Sequence, residues 1–301
     1  MNTKILNMVM FSACMAIGCV DDASEPEILA VDVADATAFA ELDASELAPM
    51  ASGVELALPA ARGVNAEGLE AIGSAVLGEP LRFTVQRGAV AVAQSENFRA
   101  ESDAATGSFV VSRKESVDEA SAIHDGVPED EISPEALERR AMAVAAALGI
   151  PAEEIGVVAQ REAMQQSAER AGPASAPELT AHKTFLLRSV HGIEVQGSRI
   201  VVTHDPAGRL ARIAGRWPAL ASSGHRLTTS LSPERLTVRV ASQMAAEGLA
   251  GRAARLRYVY VPEQAGDNPV RLHLHVAAVV ARHPDPAWPS MPRELLIRAE
   301  P

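Results

Sequence analysis

Two histidines, His273 and His275, flank Leu274 in the run Arg271–Val276, and His283 and Asp285 follow closely. On an extended strand residues i and i+2 point the same way, so the two imidazoles could share a metal ion. No carboxylate or cysteine completes a tightly spaced ligand set. A polar strand face with Leu272, Leu274 and Val276 turned inward accounts for the same pattern. The eight histidines contain no H-E-x-x-H, the pair that sets two zinc ligands and a glutamate base on one helical face. Gly197-Ser198 lacks the G-x-S-x-G elbow of a serine nucleophile, and no glycine-rich phosphate loop occurs. No catalytic, cofactor-binding or metal-binding residue is assigned, and no cofactor is expected. Four arginines, Arg199, Arg209, Arg212 and Arg216, crowd one stretch. On alternating strands they read as a solvated face in preference to a site for an acidic ligand. His191 and His204 stand beside turns and are expected to be exposed.

The stretch that must position those arginines runs from Lys183 to Trp217. Three apolar runs, Phe185–Val190, Ile193–Val195 and Ile200–Val202, are separated by breaks at Gly192 and at Gly197-Ser198. Asp205-Pro206-Ala207-Gly208 is a turn: Asp bonds its own backbone onward, Pro presets φ and Gly tolerates positive φ. Leu210 to Ala214 then alternates away from it, so the stretch is predicted to be an antiparallel meander.

The chain has 301 residues, 48% apolar and only 3% aromatic, so its core must be built from Ala, Val, Leu and Ile. A net charge of −12 and few stacking rings argue against nucleic acid as a partner. Lys4 followed by the short apolar run Ile5–Ile17 reads as a signal peptide over residues 1–18. Ala16-Ile17-Gly18-Cys19 resembles a bacterial lipobox, with Ala16 where Leu is usual. The resemblance implies cleavage before Cys19 and a diacylglycerol on its thiol, hence a membrane anchor at Cys19. An ordinary secretory signal cleaved nearby is the other reading. Cys14 would be removed with the signal, leaving Cys19 without a disulfide partner. Residues 19–52 read as an acidic tether. Charge is divided unevenly: residues 19–135 hold 24 acidic and 6 basic side chains, and residues 136–301 hold 15 and 20. The basic part could meet the acidic part or an acidic partner.

Residues 53–131 are expected to form a small β-rich unit closed by an acidic linker. Leu81–Val85, Ala89–Ala93, Phe98–Asp103 and Phe109–Val111 serve as strands, and Gly107 as a hairpin turn. Two helices should follow. Ser133-Pro134-Glu135 and Ser232-Pro233-Glu234, 99 positions apart, each place Ser at N-cap, Pro at N1 and Glu in the first turn. Leu137, Ala141, Val144, Ala145 and Leu148 stripe the first helix, and Leu236, Val240 and Met244 the second. Strands follow both. The expected fold class is α+β: a helix-on-antiparallel-sheet unit of one helix and about three strands, present in duplicate over 132–230 and 231–301.

Gly192-Ile193-Glu194-Val195-Gln196-Gly197-Ser198-Arg199-Ile200-Val201-Val202, leading to Asp205 and Gly208, resembles the propeptide of thermolysin-type and fungalysin-type metalloproteases. The duplicated unit is similar to the PepSY module of that family, as is the turn Asp103–Gly107. Glu194 stands where the family prefers Pro, and Arg188 and Val190 where Gln and an aromatic are usual. The resemblance implies a chaperone or inhibitor of a metalloprotease, and the chain, having no H-E-x-x-H, is expected to be a stand-alone propeptide-like module. The expected function is a non-enzymatic, lipid-anchored protein of the bacterial cell envelope, in the outer membrane or facing the periplasm. It would bind, inhibit or assist the folding of an exported partner, a metalloprotease being the class implied. The alternatives are a metal-dependent hydrolase using His273 and His275, and a structural lipoprotein without a specific ligand.

Overall fold

The computed structural model describes residues 42–47, 55–56, 62–114, 132–166, 175–221, 227–228, 231–263, 270–280 and 293–299. Cys19, the signal peptide, residues 19–41 of the tether, the linker 115–131, His283 and Asp285 lie outside the described residues.

Strands form over the stretches read from alternation, and three short ones form outside them. Among the described residues they are β1 (Leu42–Asp43), β2 (Glu55–Leu56), β3 (Arg82–Arg87), β4 (Val90–Gln94), β5 (Phe98–Asp103) and β6 (Ser108–Arg113). Then come β7 (Ile155–Gln165), β8 (Glu178–Val190), β9 (Ile193–His204), β10 (Leu210–Arg216) and β11 (Leu227–Thr228). The last are β12 (Ala254–Glu263), β13 (Arg271–Val280) and β14 (Arg293–Arg298). The three outside the stretches read are β1, β2 and β11. The helices are α1 (Ala66–Ile72), α2 (Pro134–Ala147) and α3 (Pro233–Ala246).

The duplicated helix-on-sheet architecture expected from the sequence is not what forms. Twelve strands join in one large mixed sheet, and the three helices are short. The path runs β14-β13-β12-β9-β10-β6-β5-β4-β3, with β8 on the other edge of β9, β7 beyond it, and β1 beside β12. The physical reason lies in unsatisfied strand edges. β9 is twelve residues long, and β10 pairs it only from Arg199 to His204. Its earlier edge, at Glu194 and Val195, takes β12 as a parallel neighbour through Val259 and Tyr260. The free edge of β10 pairs with β6, which brings in the N-terminal hairpins. Backbone donors and acceptors left unpaired at a buried edge are expensive, so sheets that could close separately fuse instead.

β9 changes neighbour at Gly197, which has φ 71. The Gly197-Ser198 break therefore does not end a strand as the apolar runs suggested; it is the bend at which one strand serves two partners. The breaks at His191-Gly192 and at Asp205–Gly208 are true turns. Gly208 N–H donates to the Asp205 carbonyl at 2.9 Å, and Asp205 Oδ1 accepts from Arg209 N at 2.8 Å.

Two apolar clusters hold the described residues together. One gathers α1, α2 and the inward face of β4–β10: Leu69, Ile72, Ala141, Val144, Leu186, Ile200, Val202 and Ile213. Each fully buried Leu, Ile or Val of this set contributes about 1.5–3 kcal/mol. The other joins Leu236, Val240 and Met244 of α3 to Leu256, Tyr260, Leu272, Leu274 and Val276. Leu47, at the end of the acidic stretch expected to be a tether, is fully buried in this second cluster. Helix α1 was not foreseen. Asn65 caps it, with Oδ1 accepting from Gly68 N at 3.1 Å, and Gly68 lets it lie close to Leu148 at the end of α2.

Both Ser-Pro-Glu caps form. Ser133 Oγ accepts from Ala136 N at 3.1 Å and Ser232 Oγ from Arg235 N at 3.4 Å. Ser133→Ala, which strands the better aligned of the two donors, is expected to lower stability by about 1 kcal/mol. A urea midpoint that does not move would show that water caps this helix equally well.

Candidate functional site

Ladder register decides which side chains share a surface. In a sheet, residues directly opposite on neighbouring strands point the same way. Three rows cross β7, β8, β9 and β10 on one face. The first is Arg161–Lys183–Thr203–Arg212, the second Ala159–Phe185–Val201–Ala214 and the third Val157–Leu187–Arg199–Arg216. The alternate residues of the same strands, Val158, Leu186, Ile200, Val202 and Ile213, face the opposite way into the first cluster with α1 and α2. The three rows therefore line the face of the sheet turned away from those helices.

Across β7–β10 this face carries five cations and no carboxylate in a chain of net charge −12; the same rows reach Glu101 and Asp103 only on β5, two strands beyond β10. An apolar row runs between the two cationic rows. Arg161 lies 6.0 Å from the centroid of the Phe185 ring, a cation–π contact that spreads the guanidinium over the apolar strip. Arg161, Lys183, Arg199 and Arg212 have no carboxylate partner among the described residues. Arg161 stands opposite Lys183. Like charges paired across strands are destabilising, and a face that merely needs water has no use for that repulsion. Two of the four arginines singled out in the sequence lie on this face without an acid, Arg199 and Arg212. Arg216 is on it too, and its Nε donates to the Thr106 carbonyl at 3.3 Å. Arg209 is not on it; its Nε pairs with Asp205 Oδ2 at 2.7 Å in the turn. Arg161 and Lys183 were missed because only the combined registers of β7–β8, β8–β9 and β9–β10 bring them into one row with Arg212.

All three meander strands are interior, each paired on both edges for part or all of its length. The meander thus cannot offer a bare edge to a partner. The edge beyond it is β7, which pairs only with β8 among the described residues. Near that edge, Ile132, Pro134 and Leu137 at the start of α2 line a cavity of about 250 Å3 together with Gln160, Arg161, Glu162, His182 and Lys183, and Gln160 Nε2 donates to the Pro134 carbonyl at 2.5 Å. Glu194, at the family's Pro position, lies in the ladders to both β8 and β12 and forms an ion pair with Arg257. Proline there would remove a donor and a charge partner together. Burial pulls the Arg257 guanidinium down, but Glu194 and Glu294 more than offset it and hold it above its ordinary value.

His273 and His275 do share one face of β13, with Leu272, Leu274 and Val276 on the other, buried one. His273 Nε2 lies 2.6 Å from Glu263 Oε2 and Nδ1 3.1 Å from Arg298 Nη2, so both ring nitrogens are engaged by protein groups. Among the described residues no group of three or more His, Cys, Asp or Glu is placed to hold a metal ion. His191 is exposed, at φ 53 in its turn. His204, expected to be exposed as well, is 2% exposed. Its position directly opposite His182 puts it on the helix-covered face. Burial, then the nearby Arg140 and His182, push its imidazole down to about 4, against a weaker pull upward from Asp205.

A second buried charge ties the meander to its neighbours. The Arg188 side chain is wholly buried. Its Nη1 donates to the Pro218 carbonyl at 2.7 Å and its Nη2 lies 2.7 Å from Glu154 Oε2. The guanidinium sits 4.9 Å from the Trp217 ring centroid, and Trp217 Nε1 donates to the same Glu154 oxygen at 3.2 Å. Burial lowers the Arg188 pKa and Glu154 opposes that, leaving it below its ordinary value. Gly107 completes the junction. A Cβ there, at φ 64, would meet Pro218 Cα at 2.4 Å.

None of the described helices is long and apolar enough to cross a membrane. No model of a known protein family matches the chain, and no curated protein does. Among solved structures it is similar to an uncharacterized protein from Eubacterium rectale ATCC 33656, at 12% identity over 85% of each chain, with a TM-score of 0.40.

Proposed function

We propose that this chain is a non-enzymatic binding protein of the bacterial envelope, tethered to a membrane through Cys19, whose cationic meander face docks an acidic surface of an exported partner. The observation that carries the reading is the pair of cationic rows without a carboxylate, flanking an apolar strip on the open side of β7–β10. Such a patch supplies area for burial and a field that steers an oppositely charged partner. The local resemblance to a protease propeptide suggests the partner's class, a metalloprotease that the chain would inhibit or help to fold.

The test is retention of envelope proteins on the purified protein. Arg199→Glu/Arg212→Glu is expected to abolish retention at low salt while moving the urea midpoint little, since both side chains are exposed. Undiminished retention by the folded double variant would move the docking surface elsewhere. Inhibition of a thermolysin-type protease at one-to-one stoichiometry would identify the partner class.

A further inference from the structure

β7 is an unusual edge. It is eleven residues long, contains no proline, and carries two of the most exposed large apolar side chains, Val157 at 51% and Met164 at 53%. The end strands β3 and β14 have six residues each and arginines at their ends. Natural edges are usually short, charged or covered; β7 carries charge at Arg161 and Glu162, but it is nearly twice as long as β3 or β14. Between two register shifts, Val157 to Ala163 pairs regularly with β8, and among the described residues no strand lies on its other side.

We infer that β7 receives an added strand: an extended segment of the partner in which acidic and apolar side chains alternate. The inference rests on the proposed docking role of the cationic face and names the chemistry of what docks there. A strand laid beside β7 continues the sheet, so its side chains alternate between the two faces. Those on the open face extend the row Arg161–Lys183–Thr203–Arg212, where carboxylates would stand opposite Arg161 and relieve its conflict with Lys183. Those on the other face stand beside Gln160 and Glu162 and point toward a cavity in which Ile132, Pro134 and Leu137 offer apolar contact on the side of α2. Charge selects one set and the apolar wall the other, and together they fix a period of two.

The test uses the full chain and a fluorescent, end-capped nonapeptide of alternating glutamate and valine, followed by anisotropy at low salt. Binding is expected, with a lysine–valine counterpart inert. Arg161→Glu/Lys183→Glu should raise Kd by about tenfold or more, and added salt should also weaken binding. Methylating one alternate set of peptide backbone nitrogens should abolish binding and methylating the other set should not, because only one set faces β7. If both methylated peptides bind like the parent, contact is through side chains alone and strand addition is overturned, while the cationic docking face stands. If neither peptide binds, or the lysine peptide binds equally, the inference fails, and envelope retention decides the wider reading separately.

Discussion

Glu154→Ala is expected to destabilise the fold by about 3–5 kcal/mol. The carboxylate is the charge partner of a guanidinium that has no exposed surface, and truncating it leaves that cation buried with only the Pro218 carbonyl and the Trp217 ring for company. Arginine does not escape by losing its proton, even with its pKa lowered by burial. Trp217 Nε1 loses its acceptor as well. The double variant Arg188→Met/Glu154→Gln should cost much less than Glu154→Ala. No buried charge remains in it, and the glutamine oxygen still accepts from Trp217. Urea unfolding followed by circular dichroism measures both. A loss below about 1 kcal/mol for Glu154→Ala would mean that Arg188 finds another acceptor by a small movement.

Acid should unfold this protein partly through one imidazole. His204 has its pKa depressed to about 4 in the folded chain, from an ordinary value of 6.5. Below pH 6.5 the unfolded state takes up a proton that the native state refuses until about pH 4. Stability contributed by the neutral imidazole is therefore fully present above pH 6.5, declines between pH 6.5 and 4, and changes no further below. The span corresponds to a loss on the order of 3 kcal/mol. His204→Leu removes the titration and keeps an apolar side chain against the sheet. The variant should match the parent's stability near pH 7 to about 1 kcal/mol and show a flatter decline toward pH 4. Parallel pH profiles for the two proteins would assign the acid sensitivity to other groups.

Much of the local structure was written in short-range chemistry. The two Ser-Pro-Glu caps, the apolar stripes of α2 and α3, the Asp205–Gly208 turn and the strands of the meander each depend on residues within a few positions of one another. Alternation could also assign each residue of a strand to one of two faces. α1 escaped detection because seven residues with Gly68 in the middle make a weak helix on propensity alone. It is held by the Asn65 cap and by Leu69 and Ile72 in the first cluster.

Neighbour choice was beyond the reach of spacing. The edge of β9 is divided between β12, parallel, and β10, antiparallel, and the unpaired backbone groups of distant segments made that division. One sheet replaced two units for this reason. Register had the same origin. That Arg161 stands beside Lys183, and Thr203 beside Arg212, follows from ladders among strands separated by turns of different lengths. The arginines of the meander were visible in the sequence, but their assembly into cationic rows around an apolar strip was not. His204 and Arg188 make the same point from the interior. Alternation puts each on the same face as a core residue, yet the turn beside His204 argued for solvent, and nothing local to Arg188 announced Glu154 and the Pro218 carbonyl as its buried partners.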